Sequence, residues 1–159
     1  MTLVIDPVPR RGLGAIARAV LDTLPDWFGI PEANDTYVAF VDAHDTWTAT
    51  TTDGTVVGLI SGRRHFPETA EIELLAVVPA SHRGGVGRAL LDAFEAFHRA
   101  GGVRMIEVKT LGPSNPDEGY AKTRAFYLGV GFLPIEELDI WAPENPALLM
   151  VKPVGPVAG

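Results

Sequence analysis

A cluster of glycines flanked by arginines, Arg83-Gly84-Gly85-Val86-Gly87-Arg88, separates a strongly apolar segment ending at Val78-Pro79 from an apolar run beginning Ala89-Leu90-Leu91. Glycine loops of this kind turn several backbone N–H groups toward one point. A helix opening inside the glycines adds its unpaired first-turn donors and the positive end of its dipole. The junction is built to hold an anion, and a pyrophosphate is the expected one. It is not a nucleoside-triphosphate P-loop, which needs Lys and then Ser or Thr after the last glycine, where this chain has Arg88 and Ala89. A dinucleotide fingerprint also fits poorly, because its third glycine would fall at Leu90 and much of the chain precedes the motif.

Upstream of the glycines, Glu71 and Glu73 stand in an apolar strand-like stretch, Glu71 to Val78. Strict alternation puts Glu71, Glu73, Leu75 and Val77 on one face, with Glu73 about 13 Å from Val77 at about 3.3 Å per residue. Apolar neighbours raise a carboxyl pKa by desolvation, so Glu73 suits a general base acting directly or through a water, with Glu71 second in line. The alternative is a structural ion pair with Arg63 or Arg64. Other chemistries find no support. The chain has no cysteine, which excludes disulfides, thiolate–zinc sites and a Cys acyl-enzyme. His44, His65, His82 and His98 lack the paired spacing of a metal site, so no metal is expected, and Ser61, Ser81 and Ser114 lie outside any nucleophile elbow.

The pattern Val77-Val78-Pro79, His82, then Gly85-Val86-Gly87 and an apolar helix resembles the acetyl-CoA-binding motif of the GNAT-type N-acetyltransferases. Two further stretches resemble that family in order: Asp53-Gly54 with Val56-Val57-Gly58 before the motif, and Phe126-Tyr127 with Gly131-Phe132 after it. The resemblance implies a mixed α/β (α+β) fold whose mostly antiparallel central sheet is flanked by helices, with a splay between the CoA-binding strand and its neighbour. It implies acetyl-CoA as cosubstrate, held by the backbone of Leu75, Ala76 and Val77 and by His82, Arg83, Gly84, Gly85, Val86, Gly87 and Arg88. A backbone N–H near Val77 would hold the thioester carbonyl. Tyr127 takes the family's position for hydrogen-bonding the CoA sulfur and acting as general acid, a role a phenol protonated at neutral pH can fill. The chain departs from the family pattern at His82, normally Gln or Arg, leaving open whether His82 or Arg83 reaches the pyrophosphate. It departs again at Ala121, where many members have Asn; Asn115 is a candidate replacement or a helix cap.

The reading is an N-acetyltransferase moving acetyl to a primary amine by direct transfer in a ternary complex; the alternative is a catalytically silent CoA-binding module of the same fold. The net charge of −7 argues against nucleic acid and favours a cationic small-molecule or peptide amine. Asp22, Asp26, Glu32 and Asp35, with Glu136, Glu137 and Asp139, are either acceptor lining or a solvated acidic surface. No membrane segment or signal peptide is recognisable, and a cytoplasmic protein is expected. A homodimer is left open.

These groups must be positioned by a chain of 159 residues, 47% hydrophobic, which suits one domain. Apolar stripes at Leu13, Ile16, Ala17, Val20 and Leu24, and at Ala33, Tyr37, Phe40 and Val41, predict two N-terminal helices within about 12–44. A CoA-binding core follows at about 46–152, opening with a hairpin turning at Asp53-Gly54. The helix after the glycines places Val86, Ala89, Leu90, Ala93, Phe94 and Phe97 on its buried side and a Glu95–Arg99 pair on the other, and ends at Gly101-Gly102. A strand at 103–110, a loop, a short helix through Val130 and strands at 132–140 and 148–152 complete the core, with a frayed tail at 153–159.

Overall fold

The computed structural model describes residues 2–155. Seven strands form one sheet: β1 (Leu3–Val4), β2 (Thr46–Thr51), β3 (Val56–Phe66), β4 (Thr69–Val77), β5 (Met105–Leu111), β6 (Leu133–Leu138) and β7 (Ala147–Pro153). Their order is β1-β2-β3-β4-β5-β7-β6, and every neighbouring pair is antiparallel except β4 and β5. The fold is the expected mixed α/β sheet. The exception follows from chain path: the 15-residue helix α3 (Val86–Ala100) carries the chain back before β5 begins, as a parallel pair requires.

Helices α1 (Gly14–Leu21) and α2 (Pro31–Ala43) cover one face, burying Ala17, Val20, Leu21 and Val41 against Leu59, Leu74 and Ala76. α1 has no cap of its own; the Asp42 carboxylate of α2 accepts from the Gly14 N–H at 2.7 Å, placing negative charge at the positive end of α1. On the other face α3 and α4 (Glu118–Gly129) bury Leu90, Leu91, Phe94 and Tyr127 with Phe132 over Ile72, Ile106 and Met150. The Asp53-Gly54 hairpin forms as read, with Gly54 at φ +86°.

Several expectations are corrected. β4 does not alternate strictly: Ser61 pairs with Leu74 and Gly62 with Ile72, which leaves Glu73 as an extra residue in a β-bulge. Leu75 and Val77 therefore pack on the α3 side, while Leu74 and Ala76 face α1 and α2. Glu95 reaches Lys152 on β7 at 2.5 Å rather than Arg99, because a half-buried carboxylate takes the cation that the sheet brings to it. Phe97 is 41% exposed and His98 is buried in its place on α3. The tail does not fray at 153: Pro153 ends β7, and the Val154 N–H donates to the Arg104 carbonyl at 3.0 Å; positions 156–159 lie outside the described residues. β1, two residues long, carries no periodicity that a sequence could show.

Candidate functional site

The bulge at Glu73 coincides with a gap. β4 and β5 pair from Thr69↔Met105 to Ile72↔Val108, and beyond that no pair joins them, so the stretch from Glu73 to Val77 faces an open seam. The Val78 N–H donates to Val57 on β3 at 2.9 Å. Alternation from that bond aims the N–H groups of Leu75 and Val77 away from β3, into the seam. Gly62 sits opposite the bulge because nothing larger fits: a Cβ there would stand 2.1 Å from the Glu71 carbonyl oxygen.

Glu71 and Glu73 differ sharply. The Glu71 side chain is 8% exposed and bridges Lys109 Nζ and His65 Nε2, each at 2.7 Å. Burial pushes its carboxyl up, but the two hydrogen bonds and the charges behind them outweigh burial and hold it below its ordinary value. The same balance raises the Lys109 ammonium. The partners are not Arg63 or Arg64. Glu73 makes no ion pair within 4 Å among the described residues. Burial pushes it up, the neighbouring Glu71 charge adds to this, and Arg63, Lys109 and His44 only partly oppose them. His65, Glu71 and Glu107 bring ligand atoms within 4.8 Å of one another, a cluster invisible in the spacing of the histidines. The Lys109 ammonium, 3.4 Å from Glu107 as well, already sits between its two carboxylates.

Tyr127 is 4% exposed, edge-on to Phe126 and Phe132 at 5.3 and 5.2 Å. Its phenol is held above the ordinary value, first by burial and then by Tyr37 and Tyr120. Tyr120 is pushed up to about 12 by burial, then by Tyr37 and Asp117, while Tyr37 is raised by burial and by Glu73. Tyr37 belongs to α2 on the far face of the sheet, so the tyrosines and Glu73 sense one another across the seam. Tyr120 Oη also donates to the Trp27 carbonyl at 2.8 Å, tying α4 to the α1–α2 loop. The approach of Tyr37 and Tyr120 depends on which helices the open seam brings together, which no local spacing shows.

The glycine loop has the expected form. A 3-10 turn, Pro79–Ser81, leads to Arg83 at φ +64° and Gly85 at φ +78° just before α3. No side chain caps α3, which leaves its first-turn donors without a side-chain partner, and a Cβ on Gly85 would meet nothing within 4 Å. Gly87 has a second constraint, because a Cβ there would lie 3.3 Å from the Phe126 ring. His82 turns back: its Nε2 donates to the Val77 carbonyl at 2.7 Å and its ring stands edge-on to Trp27 at 5.6 Å. Arg83 and Arg88 remain exposed on either side of the glycines. Asn115 is not the helix cap; Asp117 accepts from the Tyr120 N–H at 2.9 Å, and Asn115 donates to Glu144 O.

A seam with strand donors facing it, running toward a glycine-rich helix start, fits an extended ligand with an anionic end. The sequence model of the acetyltransferase (GNAT) family matches residues 13–132, and the chain belongs to that family of acyltransferases. No curated protein matches the chain in sequence. Among solved structures it resembles a GNAT-family protein from Desulfovibrio desulfuricans, 23% identical, covering 97% of this chain and 100% of that one at a TM-score of 0.79. It also resembles the ribosomal-protein-S18-alanine N-acetyltransferase of Escherichia coli (18% identical, 99% and 97% covered, TM-score 0.73). A third is a GNAT-family acetyltransferase from Elizabethkingia anophelis with acetyl-CoA bound (16% identical, 95% and 97% covered, TM-score 0.70). Among the described residues no helix is long and apolar enough to cross a membrane.

Proposed function

We propose that the protein moves an acetyl group from acetyl-CoA to a primary amine by direct transfer in a ternary complex. The observation that carries this reading is the position of Glu73, unpaired and raised, on the bulge where the β4–β5 seam opens. Bound acetyl-CoA supplies an activated acyl carbon and a thiolate leaving group. The N–H groups from Gly85 to Arg88, with Arg83 and Arg88, hold its pyrophosphate; the Gly84 N–H, which donates to the Ser81 carbonyl at 3.2 Å, and His82, committed to the Val77 carbonyl, do not. Leu75 and Val77 present their N–H groups along the seam with Ala76 between them, and one of these donors polarises the carbonyl. Glu73 takes the ammonium proton, directly or through a water. A raised carboxyl is the better base, and the absence of a resident cation leaves it free to attract a cationic acceptor. The Tyr127 phenol stays protonated until it donates to sulfur. Glu71 is the poorer base, since its oxygens are already engaged.

The test is an amine panel assayed by thiol release, in which CoA is the only thiol because the chain has no cysteine. Polyamines, amino acids and peptide N-termini are compared, each with and without added salt. Turnover with a polycation whose KM rises with salt supports the cationic acceptor. CoA binding without turnover of any amine identifies a silent CoA-binding module instead.

A further inference from the structure

A cavity of about 640 Å³ lies at the outer edge of β3. β2 starts at Thr46, opposite Ser61, so the outer edge of β3 from Gly62 onward has no strand beside it. The last turn of α3 forms the opposite wall, and Arg11, Arg63, Arg64, Phe97 and His98 line the space between. In a chain of net charge −7, three arginines against one carboxylate, Asp45, around one cavity are a local reversal of sign. Arg11 is paired with Asp45 at 3.2 Å. Arg63 has no carboxylate within 4 Å among the described residues, and Arg64 donates to the Gly101 carbonyl, which leaves its charge uncompensated.

The apolar part of the wall is unusual in the same way. Phe97 is 41% exposed beside these cations, although its helix neighbours Phe94 and His98 are buried. His98 is 4% exposed, its ring tilted against Phe94 with centroids 4.4 Å apart, and its buried Nε2 finds no hydrogen-bond partner among the described residues. Guanidinium forks match the oxygens of carboxylates and phosphates, and an exposed aromatic face matches a flat or aliphatic body. A bare oxyanion would fill little of this volume, whereas small organic ligands occupy cavities of about 300–1,000 Å³.

We propose that this cavity binds a small organic anion, a carboxylate or phosphate monoester, with its charged end between Arg63 and Arg64 and its apolar body on Phe97. The site shares no residue with the glycine loop, Glu73 or Tyr127, and it stands whether or not acetyl transfer is the activity.

Isotope-labelled full-length protein titrated with phenyl phosphate, benzoate, inorganic phosphate and benzyl alcohol tests it by amide shift mapping. Phenyl phosphate or benzoate should shift the amides of Gly62, Arg63, Arg64 and Phe97 to Gly101, and bind at least about tenfold more tightly than inorganic phosphate or benzyl alcohol. Whichever of the first two binds better identifies the anionic group. Arg63→Glu should weaken binding about tenfold or more even if Arg64→Gln disturbs the end of α3, because Arg63 is exposed and holds no other element. Shifts confined to residues 84–88, no shifts up to about 10 mM, or affinity unchanged by Arg63→Glu would overturn the proposal. Failure of the glycine loop to bind CoA would leave these shifts untouched.

Discussion

Glu71→Gln and Glu73→Gln, two residues apart on one strand, should fail in opposite ways. Glu71 is nearly buried and bonds Lys109 and His65 at 2.7 Å each. Removing one partner of a fully buried pair costs about 3–5 kcal/mol, but Lys109 is 25% and His65 31% exposed, so water recovers part and about 2 kcal/mol is expected. At about 2–4 °C per kcal/mol for a chain of this size, the melting temperature should fall by about 4–8 °C. The loss should shrink on acidification, because a depressed carboxyl contributes stability above its unfolded value of 4.5 and loses it as pH falls through the folded one. Glu73 has the opposite sign. Its carboxyl is raised, so its ionised form is disfavoured in the fold at neutral pH, and a neutral amide there should leave the melting temperature unchanged or higher. Its cost appears in rate: about 10²–10⁴-fold for a general base, or about 3–5 kcal/mol of barrier, partly recovered at high pH where the amine arrives deprotonated. Melting curves and thiol release on the same preparations read both effects. A Glu73→Gln enzyme of full activity beside a dead Glu71→Gln of normal stability would move the base to Glu71. Two fully active variants would mean that no carboxylate takes the proton.

Tyr127→Phe should lower kcat by about 10²-fold or more while calorimetry finds acetyl-CoA affinity nearly unchanged, since the hydroxyl matters most as charge builds on sulfur; an unchanged kcat assigns the residue to packing with Phe126 and Phe132. Gly87→Val should lose acetyl-CoA binding and also loosen α3 against Phe126, read as a lower melting temperature without ligand. His98→Phe should flatten the acid limb of the stability curve: with His98 pushed down to about 4 by burial, then by Arg64, about 3 kcal/mol present above pH 6.5 is lost as pH falls toward 4, and an equally steep variant would refute that assignment. Deleting Glu73 should leave a regular ladder that still melts cooperatively, because Ile72 and Leu74 already face opposite sides, but should abolish turnover.

The glycine loop, the Asp53-Gly54 turn and the stripes of α1 and α3 were legible because each rests on contacts within a few residues. The bulge was not. A period of two reads straight through Glu73, and only the pairing of Ser61 with Leu74 and Gly62 with Ile72 reveals the extra residue. Gly62 was its one sequence trace, a glycine mid-strand where another backbone comes close. Lys109 was equally hidden as the partner of Glu71, since it depends on a parallel register set across a whole helix. So was the insertion of β7 between β5 and β6, which delivers Lys152 to Glu95. The bulge and the seam are best understood together. A bulge bends its strand and sharpens the local twist, and β4 leaves β5 immediately after Ile72, the residue before the bulge. One backbone irregularity thus frees the N–H groups of Leu75 and Val77, turns those two side chains to the α3 core, and leaves Glu73 near Tyr37 with no ion pair among the described residues. A regular strand could place a carboxylate on that face, or open that edge, but would have to do each separately.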